Sequence, residues 1–401
     1  MVELVNQMGD GRMADNKLDI LIMTDNNLDT VGGEQESTKI IINGIKDKYS
    51  LAIIQPGNIS NPVSSVVYYE LTKLTRIKHL IKRPISFIRY ILKAKSIINR
   101  RKPKTIHTQA QVSFLIVSLL KKLGVIKDVF LIHTERGLYT KYNNFFKKLF
   151  CFFLKETNIL VTTTEFNMKH WKKALETKGI QLEYRVIENT AGKLFENYDE
   201  LLKKRDDKTL AIGFAGRYTD WKNWPLAVEI SEKLNYILGN KLKVTMAVGC
   251  LDEKALEKTK KMFNCMKKTF GNRFDGKINI SIEEMNKFYY DIDVFVLTSK
   301  YNTESFGRTL VEAMSRKNVV LTTDAGGSVE VVNNNNNVCR AADEFIERIM
   351  GFYTEQEKMD DEKEKNLKRV RNVYSLDNNI AKHLKMYRDI HKKANERYQK
   401  L

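Results

Sequence analysis

Two carboxylates, Glu304 and Glu312, stand in the run Glu304-Ser305-Phe306-Gly307-Arg308-Thr309-Leu310-Val311-Glu312-Ala313-Met314. The run follows a short apolar segment, 294–298, and a polar loop, so it reads as a loop entering a helix. A strand end aims such a loop into a cleft. The first helical turn then offers free N–H groups and the positive end of the helix dipole. A diphosphate suits that place, although a capping acid followed by a helix-face acid is the plainer reading of the same residues. A second run, Gly213-Phe214-Ala215-Gly216-Arg217-Tyr218-Thr219-Asp220-Trp221-Lys222-Asn223, ends an apolar segment in small residues and adds two cations. The Arg217 guanidinium can grip phosphate oxygens in pairs and the Lys222 ammonium acts as a point charge, although such a pair also occurs as solvated surface. Gly32-Gly33 follows the first apolar segment, where glycines admit a ligand to the backbone or simply make a turn. His133 ends the apolar run Phe130-Leu131-Ile132. A histidine there suits proton or hydroxyl handling near neutral pH, or serves as a satisfied structural residue.

These residues need elements to hold them. Short apolar segments at 18–23, 50–55, 105–107, 129–133, 159–163 and 185–188 read as buried strands, with helical patterns between them. That alternation predicts parallel β/α layering. A charged segment at 198–208 reads as a linker or surface helix. A second series of strands follows at 210–215, 243–248, 277–280, 294–298 and 319–322, with a helix at 225–238. The expected organisation is a polar leader at 1–17, a first Rossmann-like domain at 18–205, a second at 206–374 and a terminal helix at 375–401 that can pack back on the first domain. Two such α/β domains in succession put a cleft between them. The asparagine run 333–337 reads as a surface turn, and 355–371 as a charged helix.

Composition narrows the class. Hydrophobic residues make up 42% of the 401, enough for a substantial core, so a wholly disordered chain is excluded. The longest apolar runs fall well short of the roughly 20 residues a membrane helix needs. The polar, acid-containing start does not read as a secretory signal. Cys151, Cys250, Cys265 and Cys339 show no metal-ligand spacing, and scattered thiols fit a cytoplasmic setting. The net charge of +19 implies an anionic partner. Residues 71–104 hold twelve Lys or Arg and no acid. Within them Leu74, Ile77, Leu80, Ile81, Ile85, Ile88 and Leu92 recur at helical spacing, flanked by Lys73, Arg76, Lys82, Arg83, Arg89 and Lys93. Such a basic amphipathic element predicts peripheral association with an anionic membrane at its inner face, unless the apolar stripe packs on its own core. No RNA- or DNA-reading motif is present, so nucleic acid is not an expected partner.

In combination the motifs resemble the retaining glycosyltransferases of the GT-B fold, glycosyltransferase family 4. The order matches from Asp19 to Val332: Gly32-Gly33, His133, the crossover-like Val186-Ile187-Glu188-Asn189-Thr190, Arg217 and Lys222, Phe274-Asp275-Gly276, the Glu304 to Glu312 element and Gly326-Gly327-Ser328-Val329-Glu330. Two places depart from the pattern: Asn189-Thr190 stands for Asn-Gly, and Gly249-Cys250-Leu251 for Gly-x-Gly. The resemblance implies sugar transfer with retention from a nucleotide-sugar, a UDP-sugar above all, and neither cofactor nor metal. Asp291-Ile292-Asp293 is accordingly read as structural. It also implies roles. Glu304 and His133 serve the transferred sugar or acceptor. Arg217, Lys222, Gly33 and the backbone of Phe306, Gly307, Arg308, Thr309 and Leu310 hold the diphosphate. Glu312 takes the ribose, and Lys277 and Ile278 the base. The acceptor is a polymer, lipid-linked or protein hydroxyl in bacterial cell-surface polysaccharide, teichoic acid, glycolipid or glycoprotein synthesis. A GT-B sugar-nucleotide epimerase and a non-enzymatic basic surface-binding protein are the competing readings.

Overall fold

The computed structural model describes residues 18–30, 32–203 and 209–398. The expected polar leader, and the boundary expected between residues 205 and 206, lie outside the described residues. The first sheet contains β1 (Ile20–Met23), β2 (Leu51–Gln55), β3 (Val67–Glu70), β4 (Thr105–Thr108), β5 (Phe130–Glu135), β6 (Ile159–Thr162) and β7 (Glu183–Val186). Its order is β3-β2-β1-β4-β5-β6-β7 and every pairing is parallel. Six helices connect these strands: α1 (Gly33–Ile45), α2 (Lys78–Ile81), α3 (Pro84–Arg101), α4 (Gln111–Lys122), α5 (Asn144–Leu154) and α6 (Glu165–Glu176).

The second sheet contains β8 (Leu210–Arg217), β9 (Leu242–Gly249), β10 (Phe274–Ile278), β11 (Val294–Leu297) and β12 (Val319–Thr322), in the parallel order β10-β9-β8-β11-β12. Its helices are α7 (Trp224–Leu238), α8 (Glu253–Phe270), α9 (Ile282–Tyr290), α10 (Arg308–Met314), α11 (Gly327–Val332), α12 (Ala342–Thr354) and α13 (Gln356–Val373). The last helix, α14 (Leu376–Tyr398), returns to the first domain. Its Met386, Tyr387 and Ile390 join Ile20, Ile22, Ile41 and Ile42 in one buried cluster. Burying each such side chain contributes about 1.5–3 kcal/mol.

The apolar segments became strands because both sheet faces are covered. Tyr90, Phe114, Phe150 and Trp171 cover one face of the first sheet, while α1 and α14 cover the other. Three differences from the sequence reading have physical causes. β3 went unrecognised because it is an edge strand whose Val-Tyr-Tyr-Glu is only partly covered. β10, also an edge strand, starts at Phe274 rather than at 277 and takes in Asp275 and Gly276. The asparagine run is not all surface. Asn337 is fully buried, donates to Glu362 Oε1 at 2.6 Å and accepts from Arg348 Nε at 2.9 Å.

The basic segment also departs from a single stripe. Arg83, at φ −129° and ψ 78°, interrupts the helix, and Pro84 opens α3. Ile77 and Leu80 turn into the core, whereas Ile81, Ile85, Ile88 and Leu92 stand 53–68% exposed. The expected stripe is therefore two surfaces, one spent on the fold and one facing outward. No helix among the described residues is long and apolar enough to cross a membrane.

Candidate active site

Ligands of open parallel sheets sit beyond the carboxyl ends of the strands. Both sheets present those ends to the space between the domains. On the C-terminal domain β8 ends at Arg217, and a short turn brings Lys222 back across it. The Thr298 hydroxyl donates to the Lys222 carbonyl at 2.9 Å, and the Lys300 N–H to the Trp221 carbonyl at 2.7 Å. The turn is thereby tied to the end of β11. Lys222 Nζ reaches Glu304 Oε1 at 2.6 Å, and Ser299 Oγ donates to the same oxygen at 2.6 Å. Burial would raise the Glu304 pKa, but the Lys222 ammonium, the Ser299 hydroxyl and Lys141 outweigh it and hold the carboxylate below its ordinary range. Arg217 is exposed, and its guanidinium has no ion-pair partner among the described residues.

Gly307 precedes α10 at φ 88°, a left-handed conformation that favours glycine. Glu304 is held by backbone as well: its N–H donates to the Ala325 carbonyl, and the Gly327 N–H donates to the Glu304 carbonyl at 2.8 Å. A Cβ on Gly327 would stand 2.1 Å from the Ser305 carbonyl oxygen, so the Gly-Gly element lets α11 approach this loop. Glu312 lies on the inner face of α10, 7% exposed. Tyr289 donates to it at 2.8 Å, and Arg308 Nε pairs with it at 3.1 Å. Burial pushes the Glu312 pKa up against the pull of Arg308 and Tyr289. Arg308 also donates to the Ala191 carbonyl at 2.6 Å, which anchors the crossover from the first domain. The Thr219 and Thr309 hydroxyls are buried beside this region without partners.

The first domain contributes Lys141, whose ammonium sits 4.5 Å from the centre of the Trp221 ring and 3.4 Å from the Thr303 carbonyl. Burial draws its pKa down; Glu304 favours its charge while Lys222 and Arg217 oppose it. Two cations, Lys222 and Lys141, thus act on one carboxylate, with Arg217 in electrostatic reach of Lys141. The sequence offers no signal that separates Lys141 from the lysines near it. Arg136, just past β5, and Glu34, beside Gly33, were likewise missed. Their proximity arises from the sheet order, not from their spacing.

The remaining expected residues sit as follows. His133 is not at the strand end: β5 continues to Glu135, and His133 is fully buried. It stacks on Phe114 at 4.1 Å, approaches Thr108 Oγ1 at 3.0 Å and lies 3.4 Å from Glu135. The structure gives it no direct exposure to the cleft. Gly33 is exposed, and a Cβ there would meet no protein atom within 4 Å. Lys277 and Ile278 lie on edge strand β10, away from the Glu304 cluster in sheet order, with Lys277 paired to Asp275 at 2.8 Å. Asp293 accepts from the Ala211 N–H and pairs with Lys363 at 2.8 Å, so that carboxylate is committed within the fold. No group of side chains with metal-ligand geometry occurs among the described residues.

The domains also meet through Glu330 of α11. Its two oxygens accept from the Glu165 N–H at 3.0 Å and the Phe166 N–H at 2.9 Å, the free first-turn groups of α6. Thr164 donates to the Ser305 carbonyl at 3.0 Å alongside.

Residues 197–369 match the family model described as Glycosyl transferases group 1. The matched stretch holds Arg217, Lys222, Glu304 and Glu312. No curated protein matches by sequence. Among solved structures, sucrose-phosphate synthase from Thermosynechococcus elongatus superposes with a TM-score of 0.76 at 12% identity, covering 94% of this chain and 100% of that one. The α,α-trehalose 6-phosphate synthase of Burkholderia multivorans gives 0.72 at 9% identity, covering 96% and 99%. Anabaena HepE in complex with UDP and glucose gives 0.67 at 12% identity, covering 93% and 99%. The architecture of the whole chain is the GT-B fold.

Proposed function

We propose that the protein is a retaining glycosyltransferase that moves a sugar from a UDP-sugar to an acceptor hydroxyl. The observation that carries this reading is the pair Lys222 and Lys141 beside Glu304, with Arg217 near Lys141, within the stretch that matches the Glycosyl transferases group 1 model. The complexes of Anabaena HepE with UDP and with UDP-glucose support the choice of nucleotide. As the glycosidic bond breaks, the leaving diphosphate gains charge and the sugar becomes oxocarbenium-like. Arg217, Lys222 and the backbone from Phe306 to Leu310 stabilise the departing oxygens. Glu304, kept ionised by Lys222, accepts hydroxyl bonds from the sugar, and Glu312 from the ribose. Lys277 and Ile278 flank the base. His133 acts from behind the wall through Glu135 rather than by contact. No cofactor or metal takes part. A thermal-shift screen of nucleotide-sugars tests the reading: a donor that binds the folded state raises the melting temperature, and a flat response to every nucleoside diphosphate sugar refutes it.

The acceptor is a polymer, lipid-linked or protein hydroxyl reached at an anionic membrane surface. Ile81, Ile85, Ile88 and Leu92 stand exposed on α2 and α3 among Lys82, Arg83, Arg89 and Lys93, with no acid between residues 71 and 104. Each basic residue near an anionic surface is worth about 1 kcal/mol. Flotation with vesicles of phosphatidylcholine and phosphatidylglycerol is expected to recover the protein, and neutral vesicles are not.

A further inference from the structure

Away from the cleft, the C-terminal domain has a cavity of about 290 Å³ between the asparagine run, α12 and α13. Small-molecule sites begin at roughly 300 Å³, so the space suits one small ligand. Asn334, Arg348, Gly351 and Glu362 line it, together with the exposed Asn336 and Lys365. It lies at the other end of α11 from the Glu304 loop: Gly327, beside Ser305, opens that helix and Asn333 ends it.

Two features distinguish this cavity from a solvated dent. Its polar side chains are already fixed. Glu362, 8% exposed, accepts from Asn337 Nδ2 at 2.6 Å and from Asn334 Nδ2 at 3.3 Å. Asn337 accepts in turn from Arg348 Nε, and the Arg348 guanidinium stacks 4.5 Å from the centre of the buried Phe352 ring. A ligand would therefore meet a preorganised wall and pay little to order it. The second feature is Gly351, inside α12. Glycine within a helix is destabilising relative to alanine, so it needs a reason. In α1 the reason is packing: a Cβ on Gly44 would stand 2.6 Å from Ile380. A Cβ on Gly351 would meet no atom within 4 Å outside its own helix. Packing does not require this glycine, but an open cavity does.

We propose that the cavity is a second ligand site, separate from the cleft, and that its ligand is an uncharged saccharide. Arg348, Lys358 and Lys365 line it against Glu355, Asp361 and Glu362, so the formal charges cancel and offer an ion no net attraction. Lys358 is in addition paired with Glu355 at 2.6 Å. A phosphate accepts hydrogen bonds and would face the Glu362 carboxylate, which also only accepts. A sugar presents hydroxyls that donate and accept: Glu362 takes their protons, Arg348 gives to their oxygens, and the Asn334 and Asn336 amides do both. An apolar ligand would leave all of these groups unpaired. The inference goes beyond sugar transfer and does not depend on it.

Gly351→Met tests it, because the side chain enters the cavity without removing any group that holds the fold. Asn336→Ala is the second variant, since that residue is exposed and its loss spares the core. Calorimetric titrations use glucose, galactose, mannose, N-acetylglucosamine, rhamnose and maltotriose, with inorganic phosphate and UDP alongside. At least one of the sugars should bind the wild type, and Gly351→Met should weaken it about tenfold or more with an unchanged or higher melting temperature. Asn336→Ala should weaken the same sugar about two- to tenfold, the worth of one hydrogen bond. Arg217→Ala should leave it within about twofold, and Gly351→Met should leave UDP binding within the same range. Binding of none of these sugars to the wild type overturns the proposal. So does equal sugar affinity in Gly351→Met, or a loss in Arg217→Ala, which would put the sugar in the cleft. Phosphate binding tighter than any sugar overturns the uncharged ligand. If Gly351→Met melts lower than the wild type, Asn336→Ala decides: unchanged sugar affinity there refutes the site.

Discussion

Glu304 and Lys222 form a contact that a bound donor would have to share. An ammonium has three N–H groups and Glu304 uses one, so the others remain for phosphate oxygens. Glu304→Gln should therefore lower kcat more than it raises donor KM, read by steady-state kinetics. Arg217→Ala should weaken UDP binding about 10–100-fold, the worth of one or two charge-assisted bonds, with no change in melting temperature because the side chain is exposed. Glu312→Ala should cost both affinity and stability, since it leaves the Tyr289 hydroxyl and Arg308 facing a void. Calorimetry and thermal melts separate the two. At this scale the sequence was readable wherever chemistry lay in one run. Glu304 and Glu312 share a loop and helix, and Arg217 and Lys222 share a turn. Arg136 and Lys141 follow β5 and Glu34 opens α1, places that only the strand order brings to the cleft. His133 was visible as a polar residue in an apolar run, but whether it faced the cleft depended on where β5 stops.

Between elements, the bond from Glu330 to the start of α6 is a candidate latch. It joins a carboxylate to two free N–H groups at the positive end of a helix, an arrangement worth about 0.3–1 kcal/mol from the dipole alone, plus the hydrogen bonds. Glu330→Gln should favour the separated domains. Small-angle scattering of the free protein should show a larger radius of gyration for the variant, with the difference reduced by UDP. The buried strands were legible because parallel strands covered on both faces carry continuous apolar runs. β3 and the start of β10 were not, since edge strands are only half covered. The apolar positions of α2 and α3 were also visible, but their division between core and surface depends on the break at Arg83.

For the whole molecule, α14 decides both shape and acid tolerance. Its His383 and Tyr387 enter the first domain beside His107, which approaches Tyr387 at 2.6 Å and Thr134 at 2.7 Å. Burial pulls His383 down to about 4 and His107 well below its ordinary value. Both imidazoles are therefore neutral in the folded chain and take up protons when it unfolds. Stability from His383 is complete above about 6.5 and is lost as pH falls from there towards 4, amounting to about 3 kcal/mol at the acid end. His383→Gln should flatten the fall in melting temperature between pH 6.5 and 4.5.

The return of α14 also bears on how the chain is made. The last helix supplies Met386, Tyr387 and Ile390 to a core begun by Ile20 and Ile22. During synthesis that core stays open until α14 has left the ribosome. At roughly 5–20 residues per second, the interval from β7 to α14 lasts on the order of 10–40 s. Throughout it Ile41, Ile42 and their neighbours lack their cover, and a chain stopped at Tyr374 would keep them so permanently. The nascent protein thus carries an uncovered apolar face until α14 emerges, which makes that interval the point at which a chaperone has something to hold.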